Sequence, residues 1–119
     1  MKLKEYMSMK EIFAEIIRIY QSEGERGFYN MPGWCIYAKD EPVTVETECY
    51  VDAYPDYDDD DNEVFSDYIV ENHLYMLYRD EMVEDVVMSC IDQKANVSCD
   101  EIMEALIYYD QNDSFMDLS

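Results

Sequence analysis

Two short stretches decide the fold class: Trp34-Cys35-Ile36-Tyr37-Ala38, and Thr47-Glu48-Cys49-Tyr50-Val51-Asp52 after a break at Asp40-Glu41-Pro42. The first is rich in aromatic and β-branched residues, which fit a pleated, buried surface. The second alternates. Thr47, Cys49 and Val51 fall on one face and Glu48, Tyr50 and Asp52 on the other, the period of a half-buried strand. With residues 40–46 as connection, the two predict an antiparallel pair. A third strand is expected over Leu74-Tyr75-Met76-Leu77-Tyr78, a short run of large apolar residues.

Working outward, the flanking segments carry the helical period instead. Ser8 and Glu11 form a capping box, and Ile12, Phe13, Ile16, Ile17 and Tyr20 then mark one face of a helix over about 9–21. Gly24 and Gly27 end it. A second helix is expected over 81–94, capped by Asp80, with Val83, Val86, Val87, Cys90 and Ile91 as its stripe. A third, over 99–110, starts from the capping box Ser98/Glu101, shows Ile102, Met103, Leu106 and Ile107, and stops at Asn112-Asp113. Residues 54–63 read as loop, because Pro55 and the Asp run disfavour regular structure, and 64–71 fit either a short helix or a strand. The expectation is one α+β domain over residues 1–119. It has about three helices on a small, mainly antiparallel sheet of about three strands, with a frayed tail at 114–119 in which Phe115 can dock.

Composition bounds the function. The chain has 119 residues, 29 Asp and Glu against 8 Lys and Arg, and a net charge of -21. That length suits one domain. With 49% hydrophobic and 14% aromatic residues it is too apolar for a disordered acidic tail. A pI near 4.1 argues against direct binding of nucleic acid or an anionic membrane, which recruit Lys and Arg. The acidity is uneven. Residues 1–30 hold five acids and five bases, whereas thirteen acids lie between 40 and 71, and no Lys or Arg falls between Lys39 and Arg79.

A catalytic reading finds little to build on. His73 is the sole histidine, Gly24, Gly27 and Gly33 are the only glycines, and no phosphate loop or catalytic-cysteine signature is present. Asp56, Asp58 and Asp60 have the spacing of the first three EF-hand ligands, but Asp61 stands where Gly is needed and Asp67 where a Glu is. The reading is therefore no enzyme, no cofactor and no metal. Glu5, Lys10, Glu11 and Glu15 interrupt any signal-peptide core after Met1-Lys2-Leu3-Lys4, so a cytoplasmic protein is expected, with Cys35, Cys49, Cys90 and Cys99 as free thiols; its oligomeric state stays open, with a monomer favoured. If a bridge formed, Cys35 and Cys49 would be the pair the two strands bring nearest.

Tyrosine is the more telling residue: there are twelve, and Tyr50, Tyr54 and Tyr57 interleave with Asp52, Asp56 and Asp58. Rings of this kind bring apolar area and a hydroxyl, and among carboxylates they suit Lys- and Arg-rich partners. Tyr37, Tyr68, Tyr75 and Tyr78 read as sheet cover. The partner-binding candidates are Asp52, Tyr54, Asp56, Tyr57, Asp58, Asp59, Asp60, Asp61 and Glu63. The bland alternative is a solvated loop that keeps the protein soluble.

A small, very acidic single domain without a catalytic motif resembles the immunity proteins of polymorphic and contact-dependent growth-inhibition toxins. The stretches Gly33-Trp34-Cys35-Ile36-Tyr37, Asp40-Glu41-Pro42, Thr47 to Asp52 and Ile107 to Phe115 are also similar to an uncharacterised family of short acidic bacterial proteins. The first helix and the tetra-aspartate run depart from that second family. The first resemblance implies an antitoxin that covers the basic active site of a cognate nuclease domain, without itself binding nucleic acid or membrane. It carries over no particular residue, since such contacts differ from pair to pair. The rival reading is a phage- or plasmid-encoded nucleic-acid mimic acting on a restriction or CRISPR nuclease; the charge-neutral first 30 residues weigh against it.

Overall fold

The computed structural model describes residues 1–118. Its elements run β1 (Glu5–Ser8), α1 (Met9–Glu23), a 3₁₀ turn (Gly24–Phe28), β2 (Cys35–Ala38), β3 (Glu48–Asp52), β4 (Asp56–Tyr57), β5 (Glu63–Val64), α2 (Asp67–Glu71), β6 (Tyr75–Arg79), α3 (Asp80–Gln93) and α4 (Cys99–Asn112). The main sheet is antiparallel with order β1-β3-β2-β6, and β4-β5 form a separate two-stranded ribbon. The fold is α+β, as the two periodicities require.

Both capping boxes form. Ser8 accepts from the Glu11 amide at 3.2 Å while Glu11 accepts from the Ser8 amide at 3.0 Å, and Ser98 and Glu101 do the same at 3.1 Å each. At the far end of α4, Asp113 adopts a left-handed conformation, φ 54°, and closes the helix.

The sheet has two buried faces. Ile36, Ala38, Cys49, Val51 and Tyr78 point toward α1, α3 and α4 and form the main core with Ile12, Phe13, Ile16, Trp34, Val83, Ile102 and Leu106. Cys35, Tyr37 and Tyr50 point the other way, onto Ile69, Phe65, Leu74 and Met76. The register makes this separation: Ile36 lies opposite Val51 and Tyr78, whereas Tyr37 lies opposite Tyr50 and Met76.

Several expectations are corrected. There are four main strands, because β1 adds to β3 with Tyr6 opposite Tyr50; its polar sequence hid it. Loop 54–63 contains β4 and the start of β5, since a five-residue connection lets two short strands pair despite the Asp run. The ambiguous 64–71 segment ends β5 and then forms α2. Asp80 is not the cap of α3 but its first residue, with Arg79 in the cap position. Ile107 and Tyr108 face outward, and Ala105 takes a core place in α4 instead.

Cys35 and Cys49 sit on opposite faces of the sheet, so the strands do not bring them together. All four thiols are free, and burial pushes those of Cys35, Cys49 and Cys90 up to about 11.

The tail, expected to fray, is docked as far as residue 118. Gln93 Nε2 donates to the Met116 carbonyl at 3.0 Å, Gln93 Oε1 accepts from the Leu118 amide at 3.0 Å, and Phe115 packs on Tyr109 with ring centroids 5.0 Å apart. One glutamine amide thus satisfies a donor and an acceptor of the same strap. Ser119 lies outside the described residues.

A candidate interaction surface around Arg79 and Asp80

The acidic ribbon owes its shape to local turn chemistry. Tyr57 pairs with Glu63, the Asp58 amide bonds the Asn62 carbonyl at 3.0 Å, and Asp59–Asp61 form the loop between. Asp61 takes the left-handed position, φ 62°, that such loops demand; Gly is usual there, but Asp tolerates it. The Asp58 carboxylate accepts from the amides of Asp60 and Asn62 at 2.9 Å each. Those N–H groups favour its ionised form and hold it below the usual carboxylate range. Asp58 is therefore a turn residue.

Arg79 ties the ribbon to the sheet. Its guanidinium donates to Tyr57 Oη at 3.2 Å and to Glu63 Oε2 at 3.3 Å, and lies 5.2 Å from the centre of the Tyr54 ring. The next residue completes the bracket. The Asp80 carboxylate, buried at the first turn of α3, accepts from the Trp34 amide at 3.3 Å, the Glu81 amide at 2.8 Å and the Tyr54 hydroxyl. In return the Asp80 amide donates to the Trp34 carbonyl at 3.0 Å. A helix N-terminus suits that anion. Gly33 leaves room for the tyrosine: a Cβ there would sit 2.7 Å from the Tyr54 ring. Burial and the neighbouring Asp80 charge raise the Tyr54 phenol well above its ordinary range.

The candidates named from sequence thus divide. Asp52 is buried, accepting from the Ala53 amide at 2.8 Å, and Tyr54, Tyr57, Asp58 and Glu63 are engaged within the molecule. Asp56, Asp59, Asp60 and Asp61 are exposed, and their side chains make no hydrogen bond or ion pair among the described residues. Tyr57 bridges the two groups, bonded at its hydroxyl and 58% exposed along its ring. Arg79 and Asp80 were not among the candidates. The signal was available: Arg79 is the first base after Lys39, and a lone cation in acidic sequence has many suitors.

Tyr68 and Tyr6 extend the outer face. Tyr50 stacks on Tyr68 at 4.5 Å between centroids, Tyr6 packs on Tyr50 at 5.1 Å, and the Tyr6 and Tyr68 hydroxyls lie 2.8 Å apart. Tyr6 is raised to about 12 by that bond to Tyr68 and by burial. His73 is exposed, with φ 56°, at the turn that follows α2. No group of three or more His, Cys, Asp or Glu that could hold a metal ion occurs among the described residues, and no helix there is long and apolar enough to cross a membrane.

Fold and surface together define a small acidic α+β domain, with three long helices on one face of an antiparallel sheet, the short α2 on the other, and an acidic ribbon tied to the sheet by Arg79. The chain belongs to the family described as Domain of unknown function (DUF7716), whose model matches residues 7–118. No curated protein and no solved structure matches it.

Proposed function

We propose that this chain is a cytoplasmic immunity protein that binds the basic nuclease domain of a bacterial toxin and covers its phosphate-binding surface. The observation that carries the reading is the ribbon. Among the described residues Asp56, Asp59, Asp60 and Asp61 are exposed there with side chains in no hydrogen bond or ion pair, while Arg79 ties Tyr57 and Glu63 at the ribbon's base. Preorganisation matters because a partner then meets charge already in position, without the cost of ordering a loop.

The steps follow from the charge pattern. A net charge of -21 steers a cationic partner at rates above the neutral range of about 10⁵–10⁶ M⁻¹s⁻¹. Exposed ring area, Tyr57 on the ribbon above all, then slows dissociation. A nuclease site is basic because it must hold phosphates, so an acidic ribbon placed over it removes the contacts that its substrate needs.

The test is to co-express the chain with the product of the gene immediately upstream, purify any complex, and measure nuclease activity and both rate constants. Stoichiometric inhibition is expected, with association slowed by Asp56→Asn, Asp59→Asn, Asp60→Asn and Asp61→Asn together. That slowing should fade as salt cuts the screening length from about 10 Å at 0.1 M to about 3 Å at 1 M. Absence of binding and inhibition overturns the reading. Equal inhibition of unrelated DNA-binding enzymes would replace it with a nucleic-acid mimic.

A further inference from the structure

The main sheet ends on two open edges, and they differ in charge. β1 is preceded by Lys2 and Lys4. β6, at the other edge, pairs with β2 through Tyr75, Met76, Tyr78 and Arg79, with Leu77 bulged out between them, and among the described residues no other strand pairs with it. An edge of this kind is a template for another strand.

The surroundings of β6 form a groove. One hollow of about 420 Å³ opens where Leu77, Tyr78 and Arg79 face the start of α3 and the end of α4. A second, of about 370 Å³, shares Leu77 and Tyr78 and continues toward the β2–β3 connection. The walls are acidic. Glu81, Asp85 and Asp113 line the first hollow, and Glu41 and Asp110 line the second. The last turn of α4 contains no basic residue, so its C-terminal carbonyls add partial negative charge to the same side. Met82 and Ile107 supply apolar floor between the carboxylates.

We propose that the free edge of β6 is a docking groove for an extended, Lys- or Arg-containing segment of a protein partner, which adds to the sheet as a further antiparallel or parallel strand. Backbone hydrogen bonds would supply affinity regardless of sequence, and the two hollows, which lie one after the other along the α4 side of the edge, would receive the segment's basic and apolar side chains. The acidic walls favour this occupant over a second copy of the chain, whose own β6 would bring like charges together. The inference rests on the reading that the partner is basic, and adds the place and manner of its engagement.

The probe is an eight-residue peptide alternating Lys and Val, blocked at both ends, together with an analogue N-methylated at every inner residue. Methylation removes the backbone donors and leaves the charge intact. Binding of the first at least about tenfold tighter than the second is expected, with slowed amide exchange at residues 75–79. Glu81→Gln with Asp113→Asn should weaken it several-fold, and Asp59→Asn with Asp60→Asn should not. Equal binding of both peptides, or protection at β1 or at the ribbon instead of β6, overturns the proposal. The same exchange measurement on the complex with the upstream gene product separates the two readings. Inhibition without protection of residues 75–79 leaves the immunity reading standing and removes this one.

Discussion

The two faces of the sheet are built from different chemistry. The helix-covered face is aliphatic: Ile36, Val51, Ile12, Ile16, Ile102 and Leu106 are fully buried, under three long helices. The opposite face relies on Tyr37, Tyr50, Tyr68 and Tyr6, covered by the five-residue α2 and by Phe65, Leu74 and Met76. An aliphatic side chain contributes in proportion to the area it buries and has no polar group to leave at a wet rim. A tyrosine can cover apolar surface while its hydroxyl stays bonded at the rim, as Tyr37 does to the Ala53 carbonyl at 2.9 Å. A thin roof of rings is thus enough for the second face, and it leaves that side of the molecule free to carry charge.

The largest difference should come from matched truncations. Ile36→Ala removes a fully buried side chain from the helix-covered face and should cost about 2–5 kcal/mol. Ile69→Ala on the other face should cost about half as much, because the short α2 can settle into the space. Urea unfolding of both variants checks this; equal losses would show that the two faces form one core.

Next comes the bracket between the faces. Tyr54→Phe deletes one of the three donors to the buried Asp80 carboxylate and should cost about 1–3 kcal/mol. Gly33→Ala should produce a loss of similar direction by displacing the same ring. A Tyr54→Phe protein of unchanged stability would mean that Asp80 is held by backbone alone.

A smaller effect lies in the one polar flaw of the helix-covered side. Trp34 Nε1 is buried without a well-formed hydrogen bond, and Glu84 is half-buried one turn after Asp80. Burial first, then the Asp80 and Asp85 charges, raise the Glu84 carboxyl to about 7 from an ordinary 4.5, partly offset by the Trp34 N–H. The folded protein therefore holds a proton there that the unfolded chain has released. Its stabilising contribution is full below about pH 4.5 and is lost as pH rises toward 7. Glu84→Gln should raise the melting temperature by a few degrees at pH 8 and change it little at pH 4.5. A pH-independent difference would remove Glu84 from that role.

The smallest stability change is expected on the ribbon. Neutralising Asp56, Asp59, Asp60 and Asp61 should alter stability by no more than about 0.5 kcal/mol, since none of these side chains has a partner among the described residues. Asp58→Ala should cost more, about 0.5–2 kcal/mol by analogy with other side chains that cap backbone amides. Thermal denaturation of the two variants side by side tests whether the run is uniform, as its sequence suggests, or divided.

Much was written locally. The helix starts at Ser8 and Ser98 need only a hydroxyl and a Glu three residues on, and the alternation from Thr47 to Asp52 sorts the strand's two faces without any knowledge of its neighbours. The acidity, its absence from residues 1–30, and the presence of helical and strand periods in one short chain likewise belong to the sequence. Other features depend on partners far away in the chain. β1 is a strand only because β3 offers it an edge, and Tyr50 on the polar face of β3 is buried only because Ile69 of α2 and its neighbours fold over it. Asp52 and Asp58 look like their neighbours in sequence, yet one is covered and the other consumed by its own turn. Arg79 meets Tyr57 and Glu63, 22 and 16 residues away, and Tyr54 meets Asp80 across 26. Local sequence sets periodicity and caps because those interactions span a few residues. Which carboxylates remain unpaired in solvent is decided by contacts across the sheet, and only the tertiary structure brings those together.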